Sequence, residues 1–232
     1  VRPRLAVAWM AGPGEGLILG AADNRLVYFD TQEALHRWNV GITGSVLHQP
    51  LILGNTVVAV GWRAGAYGID LESGRQLWSF MPSEDVFTRG MTTDGSLVYI
   101  AGTDAMMYAV RPESGNLAWQ HPIGAAANST PVYVDGQLFA FAYRQGMLCF
   151  DPSKPGPPKW RQPRVKQFAA IGKDRIYAVL ENGNLAALLR ETGEIEWERP
   201  LPSDAIVARN PFTKVVIIST KSGFMIGLTE LL

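Results

Sequence analysis

The sequence predicts an all-β fold in which six four-stranded antiparallel sheets, called blades below, surround a central axis. Short apolar runs alternate with turns along all 232 residues, and glycine (24) and proline (15) are abundant. No segment has a convincing helical period. Tryptophans recur at intervals of about 40 residues, at positions Trp38, Trp78, Trp119, Trp160 and Trp197. A four-stranded unit repeated at this spacing is typical of a β-propeller.

The second unit shows the four predicted strands most clearly. Its apolar runs are "PLILGN", "TVVAVGW", "AYGIDL" and "RQLWSF", separated by short turns. Such a series predicts a meandering antiparallel sheet. The segment "DTQEALHRW" of the first unit is the nearest to a helical pattern, but it occupies the place of a turn and fourth strand, so we predict a strand hairpin there. A single sheet cannot bury two apolar faces, and neighbouring blades must therefore pack face to face.

The predicted third strands set the blade count at six. They read "LVYFD", "AYGID", "MYAV", "MLCFD", "LAALL" and "FMIGL". The sixth unit stops before a fourth strand, whereas the chain opens with "RPRLAVAW", which resembles a fourth strand carrying Trp9. We therefore expect the N-terminal strand to close the last blade, the glycine-rich "GPGEG" to lead from it into the first blade, and residues 1–232 to form one domain. The alternative is a piece of a longer ring of seven or eight blades.

The turns before the tryptophans have a mechanical role in this interpretation. Gly74, Gly115 and Gly193 are expected to supply a positive-φ turn position. The Asp, Ser or Thr side chains beside them can accept hydrogen bonds from backbone N–H groups. Each tryptophan is expected to dock its blade onto the next and to contribute roughly 2–3 kcal/mol by burial; the docking set is Trp9, Trp38, Trp78, Trp119, Trp160 and Trp197.

The repeated segment resembles the pyrroloquinoline-quinone-like repeat, Tyr-Ala-x-Asp-x-x-Thr-Gly-x-x-x-Trp. "YGIDLESGRQLW" keeps it best, while "YAVRPESGNLAW" has Arg111 and "LLRETGEIEW" has Leu189 at the Asp position. "MLCFDPSKPGPPKW" carries a proline-rich insertion. The resemblance spans essentially the whole chain and implies a propeller. Because the repeat is structural and serves many roles, it does not by itself determine function.

Composition argues against several classes of protein. Lys+Arg and Asp+Glu both number 21, so the chain lacks the positive field expected of a nucleic-acid binder. No apolar run reaches about 18 residues, and we predict no transmembrane segment in this chain. The single cysteine, Cys149, excludes an internal disulfide and an all-cysteine zinc site.

The resemblance also extends to quinoprotein dehydrogenases, whose implied site combines an eight-bladed ring, a quinone, Ca²⁺, a catalytic Asp and an adjacent-cysteine disulfide. This chain has no cysteine pair, and Asp70 and Asp151 fall at turn positions of the repeat. We therefore predict that the protein is not an enzyme and has no catalytic, cofactor-binding or metal-binding residues.

Two groups of polar residues are candidates for binding. The first lies where inner strands begin, at one mouth of the central channel, and comprises His48, Arg89, Ser129, Gln167 and Arg209. The alternative for this group is ordinary polar lining that holds water. The second is a rim docking site comprising Trp62, Lys159, Arg161 and Arg164. Its alternatives are a solvated basic loop and, for Trp62, a core residue.

These observations predict a non-enzymatic scaffold that binds a protein partner. It resembles the propellers of outer-membrane assembly lipoproteins and of extracytoplasmic bacterial sensors. That resemblance implies a location outside the cytoplasm, either periplasmic or membrane-anchored through a segment absent from this sequence. The alternative function is a propeller that binds a small molecule or quinone cofactor and is related to quinoprotein dehydrogenases.

Overall fold

The computed structural model describes residues 7–11, 16–21, 23–46, 48–62, 64–82 and 88–229. These residues form β-strands and no helix, which confirms the all-β prediction. In this part of the chain there is accordingly no helix with the length and apolar character needed to cross a membrane.

The strands follow one another in chain order within each blade. In the first three blades the strands are β1 (Val7–Ala11), β2 (Gly16–Ala21), β3 (Arg25–Asp30) and β4 (Leu35–Gly41); β5 (Leu51–Leu53), β6 (Thr56–Val60), β7 (Ala66–Asp70) and β8 (Gln76–Phe80); β9 (Thr88–Thr93), β10 (Val98–Gly102), β11 (Met106–Val110) and β12 (Leu117–Pro122). In the last three they are β13 (Val132–Val134), β14 (Gln137–Ala142), β15 (Gly146–Phe150) and β16 (Trp160–Gln162); β17 (Val165–Ile171), β18 (Arg175–Leu180), β19 (Leu185–Leu189) and β20 (Ile195–Arg199); β21 (Ala205–Val207), β22 (Val215–Thr220) and β23 (Met225–Thr229).

Each blade is a simple antiparallel meander. Neighbouring strands in sequence are neighbours in the sheet, and the six sheets agree with the predicted count of six blades. All six predicted third strands are present, as β3, β7, β11, β15, β19 and β23. The predicted hairpin over "DTQEALHRW" is also present, because β3 pairs with β4 through the turn at residues 31–34. The assignment of residues 1–232 to one domain stays a prediction.

The meander defines two faces of the molecule. The turns between second and third strands lie at the same end of each sheet as the connections that enter the first strands, because adjacent strands are antiparallel. We call this the upper face. The turns between third and fourth strands, which carry Gly74, Gly115 and Gly193, lie on the lower face.

The predicted closure by the N-terminal strand is wrong. Val7–Ala11 pairs with Gly16–Ala21, so that Trp9 lies opposite Gly20 on the neighbouring strand of blade 1. Trp9 is therefore not the docking residue of a fourth strand in the last blade. Two strands joined by a four-residue connection pair at low entropic cost, whereas pairing with β23 would close a loop of most of the chain. The connection itself, residues 12–15 of "GPGEG", lies outside the described residues.

Blade 6 has three strands in the described part of the chain. Its outermost strand, β23, is exposed at every residue, and Met225 is 76% exposed. Among the described residues, no fourth strand covers β23 in the way that β8 covers β7 in blade 2.

Apolar clusters pack each blade against its successor. Blade 4 meets blade 5, for example, where Phe139 and Trp160 contact a cluster containing Phe168 and Ile176. Comparable clusters join blade 1 to 2, 2 to 3, 3 to 4 and 5 to 6. Among the described residues no such cluster joins blade 6 to blade 1. The core is therefore a series of interfaces between adjacent sheets, which is why the same docking sequence recurs.

Candidate functional site

Three of the docking tryptophans make the same hydrogen bond to the next blade. The indole Nε1 donates to a carbonyl oxygen in the next blade's lower turn: Trp38 to Leu71 at 2.8 Å, Trp78 to Pro112 at 2.8 Å, and Trp160 to Arg190 at 3.1 Å. Each ring is also largely buried, at 8% exposure. The tryptophan thus combines apolar burial with one directional contact across the interface.

The turn glycines lie directly against these rings. Gly74, Gly115 and Gly193 have φ values of 71°, 72° and 71°, in the left-handed region that glycine adopts most easily. A Cβ atom at Gly115 would lie 2.6 Å from the ring of Trp78, and one at Gly193 would overlap the ring of Trp160. Both backbone conformation and space therefore require glycine in the turn that receives each tryptophan.

Trp119 departs from this pattern. Its Nε1 is buried and has no hydrogen-bond partner among the described residues. The turn that should receive it contains the proline-rich insertion, and a Cβ at Gly156 of that turn would have only Lys154 O near it, at 3.8 Å. The insertion thus removes both the glycine contact and the acceptor carbonyl, and Trp119 packs instead beside Tyr99, with ring centroids 5.8 Å apart.

Trp197 docks blade 5 onto blade 6 by apolar contact. Its ring is half-buried against a cluster containing Tyr177 and Val207, and its centroid lies 6.0 Å from that of Tyr177. A cavity of about 170 Å³ lies beside it, lined also by Val216 and Leu228 of blade 6. The predicted docking role of Trp197 therefore fits its position, although this interface is less completely filled.

Asp70 organises the lower turn of blade 2. Its Oδ1 accepts hydrogen bonds from Ser73 Oγ at 2.6 Å and Ser73 N at 2.8 Å, and its Oδ2 accepts one from Asn55 Nδ2 at 2.7 Å. The bond from the Ser73 hydroxyl, followed by that from the Ser73 N–H, holds the pKa of Asp70 below its usual value of 3.8. The carboxylate form therefore stabilises the turn that receives Trp38.

Replacing Asp70 with asparagine is expected to lower stability at pH 7 more than at pH 3. The folded-state pKa lies below the unfolded value, so the stabilisation is present above the unfolded pKa and is lost as pH falls through the folded pKa. Urea unfolding midpoints of wild type and Asp70→Asn at the two pH values test this. The control Glu72→Gln removes an exposed carboxylate from the same turn. An equal, pH-dependent loss in that control would assign the effect to net charge instead.

Three of the five predicted channel residues, each from a different blade or its connection, influence one another electrostatically. His48 precedes β5, Arg89 lies on β9 and Arg209 follows β21, yet the charges of both arginines act on the His48 ring. The Arg209 Nη2 donates to Pro131 O at 2.5 Å, across 78 residues of sequence. We call His48, Arg89 and Arg209 the channel cluster.

The channel cluster is half-buried and positively charged. Burial, together with the charges of Arg209 and Arg89, holds the pKa of His48 below its usual value of 6.5. Burial also lowers the pKa of Arg209, to about 10. Arg89 Nε is buried without a hydrogen-bond partner in the described part of the chain. Partial removal of these cations from water is energetically unfavourable.

The other two predicted channel residues lie beside the cluster. Gln167 Nε2 donates to Val207 O at 2.8 Å and so ties blade 5 to blade 6. Gln167 also lines a cavity of about 570 Å³ between these blades. Ser129 lies in the bend before β13, next to Thr130, whose hydroxyl donates to Arg89 O at 2.7 Å.

Trp62 belongs with the channel cluster in space. The Arg89 guanidinium lies over the Trp62 ring, 5.6 Å from its centroid, in a cation–π arrangement. Trp62 is half-buried in the turn between β6 and β7 on the upper face. The sequence groups it with the basic rim residues, because no local signal distinguishes a channel-facing turn from a rim-facing one.

The predicted basic rim residues are exposed and already have partners. Lys159 Nζ lies 3.5 Å from Asp151 Oδ2, and Arg164 Nη2 lies 2.5 Å from Glu198 Oε2. Arg161 Nη1 donates to the neutral Gln145 side chain at 2.5 Å. Within the described ranges, Lys159 and Arg164 thus pair with carboxylates, whereas the hydrogen bond of Arg161 to a neutral amide leaves its positive charge in place.

A neighbouring turn adds two residues that the sequence did not single out. Tyr143 is 59% exposed in the upper turn between β14 and β15, and the Arg144 guanidinium lies 5.2 Å from its ring centroid. Arg144 has a φ of 58°, a left-handed conformation that holds it in this turn. Gly146 brings the turn so close to Gln162 O that a Cβ atom at this position would overlap the carbonyl oxygen. We give the name rim patch to the set Tyr143, Arg144, Arg161 and Arg164.

A model of one protein family matches residues 6–198, and its description is outer membrane protein assembly factor BamB. The match covers most of the chain and runs through the tryptophans from Trp38 to Trp197. The chain belongs to this family.

Individual relatives agree with the family at low identity. Outer membrane protein assembly factor BamB of Yersinia pestis is 25% identical over 169 residues, 65% of this chain and 43% of the relative. The quinoprotein alcohol dehydrogenase PedH of Pseudomonas putida is 25% identical over 155 residues, 58% of this chain and 26% of the relative. The chain thus matches less than half the length of each of these two relatives.

A solved structure shows the same fold. The crystal structure of BamB from Moraxella catarrhalis superposes with a TM-score of 0.72 at 22% identity, covering 97% of this chain and 74% of the other. The propeller architecture predicted from the repeats is thus also that of a BamB structure.

Proposed function

We propose that this BamB-family protein is a non-enzymatic propeller that binds a protein partner through its rim patch. We further propose that it acts outside the cytoplasm, in the assembly of outer-membrane proteins. The observation that carries the proposal is the family match over residues 6–198. Because the chain spans only part of its relatives, the activity of the whole protein is part of the proposal.

The chemistry of the rim patch supports this role. Tyrosine and arginine are the residue types that most often dominate protein interfaces, because they offer large contact area together with hydrogen-bond donors. Tyr143 presents an exposed ring, and Arg161 presents a guanidinium that donates to a neutral amide. The partner that suits this surface carries an acidic side chain beside an apolar one.

Photo-crosslinking from the rim patch tests the proposal in the native bacterium. A photoreactive amino acid in place of Tyr143 of the full-length protein is expected to crosslink to proteins of the outer-membrane assembly machinery. The matched control is the same amino acid in place of Leu35, which is equally exposed, at 58%, but lies at the lower face of blade 1. Equal crosslinking from both positions, or crosslinking from Leu35 alone, would contradict the rim patch as the docking site.

Reversing the charge of Arg161 tests how much this residue contributes to the affinity for the partner. Arg161→Glu is expected to weaken binding of the crosslinked partner at least about tenfold, since it replaces attraction with repulsion at the interface. Arg37→Glu serves as control, because Arg37 is an exposed arginine of blade 1 outside the rim patch. Affinity of the purified partner for each variant is measured by titration calorimetry, and an undiminished affinity of Arg161→Glu would remove Arg161 from the site.

A second candidate function is a cofactor-binding propeller, favoured by the similarity to the quinoprotein alcohol dehydrogenase. The described residues bring together no group of three His, Cys, Asp or Glu side chains suited to a metal ion. The calcium part of a quinone centre therefore does not fit the described part of the chain, and we derive no reaction from it. A saturable absorbance change on adding pyrroloquinoline quinone and Ca²⁺ would nevertheless favour this candidate over the scaffold.

A further inference from the structure

Four distant segments of the chain interact with one another through hydrogen bonds and charge. His48 comes from the connection into blade 2, Arg89 from the inner strand of blade 3, Pro131 from blade 4 and Arg209 from blade 6. Arg209 Nη2 donates to Pro131 O at 2.5 Å, while Thr130 Oγ1 donates to Arg89 O at 2.7 Å. These contacts hold both arginine-bearing segments against Thr130 and Pro131 of blade 4.

The cationic groups of the channel cluster are incompletely satisfied. Neither Arg89 nor Arg209 forms an ion pair with any carboxylate of the described residues, although five other arginines do. Arg89 Nε has no acceptor within that same part of the chain, although it is buried. A buried, hydrogen-bond-capable cation without a counter-charge is unfavourable unless an anion completes the site.

We propose that the channel cluster binds an oxyanion, specifically a carboxylate group. The guanidinium of arginine offers parallel N–H donors whose spacing matches the two oxygens of a carboxylate. Arg89 approaches from blade 3, with one face against Trp62, and Arg209 approaches from blade 6. The His48 ring, which lies within the electrostatic influence of both, supplies a further N–H donor. This site is separate from the rim patch and stands whether or not a protein partner docks there.

The positive charge of the channel cluster favours such a ligand, and the pKa of His48 can report its binding. Partial burial, together with the charges of Arg209 and Arg89, lowers the pKa of His48. A bound carboxylate would offset those positive charges and raise the pKa of His48. A histidine that served only as polar lining would show no such response to an added anion.

The experiment measures histidine titration by NMR in the full-length protein with and without citrate. The chain has three histidines, His36, His48 and His121, and His48→Gln assigns the signal. Citrate is expected to raise the pKa of His48 and to leave the NMR signals of the other two histidine rings in place at constant pH. Calorimetry should show saturable binding of citrate. If citrate does not change the pKa of His48, the proposal is overturned.

Substitutions identify the groups responsible. Arg89→Gln and Arg209→Gln are each expected to weaken citrate binding at least about tenfold. Arg75→Gln, which changes an exposed arginine in the lower turn of blade 2, is the matched control and should bind citrate as wild type does. Each substitution also removes a contact, that of Arg209 with Pro131 O or that of Arg89 with Trp62, so urea unfolding checks that both channel variants are folded before binding is measured. Binding that survives both channel substitutions would overturn the assignment.

Three probes distinguish the sources of the anion. Citrate represents a free small carboxylate, a tetraglutamate amide represents acidic side chains of a partner, and inorganic phosphate tests the preference for carboxylate. Stronger binding of phosphate than of either carboxylate would overturn the specificity for carboxylate. Glu84 and Asp85, which lie outside the described residues, provide a further test. If citrate binds only to the Glu84→Gln/Asp85→Asn variant, the chain's own carboxylates fill the site and the ligand proposal is overturned.

Discussion

Replacing Gly115 with alanine is expected to lower the free energy of unfolding by about 2–4 kcal/mol, because it combines backbone strain with overpacking. The residue has a φ of 72°, and a Cβ would lie 2.6 Å from the Trp78 ring, which has no room to retreat inside the interface. The measurement is the free energy of unfolding from urea titration.

Gly136→Ala is the control for this prediction. Gly136 has a nearly identical φ of 77°, but a Cβ there would meet nothing within 4 Å. It should therefore show only the cost of the left-handed backbone, about 1 kcal/mol. If the two variants lost the same stability, the contact between turn glycine and tryptophan would not hold the blades together.

Replacing Trp78 with alanine is expected to cost about 3–5 kcal/mol, the range for large aromatic residues removed from a core. The side chain fills the interface between blades 2 and 3 and donates a hydrogen bond to Pro112 O. The cavity would lie between two sheets that can relax only by separating. Urea unfolding monitored by far-UV circular dichroism measures the loss.

A pair of phenylalanine substitutions separates the hydrogen bond from burial. Trp78→Phe leaves Pro112 O without its donor and should cost about 1–3 kcal/mol more than Trp119→Phe, because the Trp119 Nε1 has no acceptor to lose among the described residues. Equal losses at the two positions would show that the directional contact contributes nothing to docking.

Much of the fold could be predicted because every blade needs the same structural features, and the sequence therefore contains them at regular intervals. Each unit needs apolar strands, a turn that requires glycine and a tryptophan that packs against the next unit, and these features appear in the same order along the sequence. The pairing of the N-terminal strand could not be predicted in the same way. The segment containing Trp9 has the composition of a fourth strand, but its short connection to Gly16–Ala21 favours local pairing.

The candidate sites depended more on tertiary structure. The sequence placed His48, Arg89 and Arg209 where inner strands begin, but Arg209 follows β21 instead. The effect of both arginine charges on His48 arises only from the packing of distant segments. Trp62 was assigned to the rim, and only the cation–π contact places it with Arg89. Nothing in the sequence indicated a binding role for Tyr143, because an exposed residue in a turn belongs to no periodic pattern.

The number of blades, the order of most strands and most of the tryptophans that dock one blade onto the next can be derived from the repeated pattern. These properties depend on interactions within one unit or between adjacent units, which such a pattern records directly. The three-dimensional arrangement was needed to reveal which strand the N-terminal segment joins, which cations share the channel and which turns meet at the rim patch. The cations and the rim turns come together through contacts between separate blades or turns, which a repeated pattern does not encode. The N-terminal strand pairs locally, through a short connection that has no counterpart in the repeat.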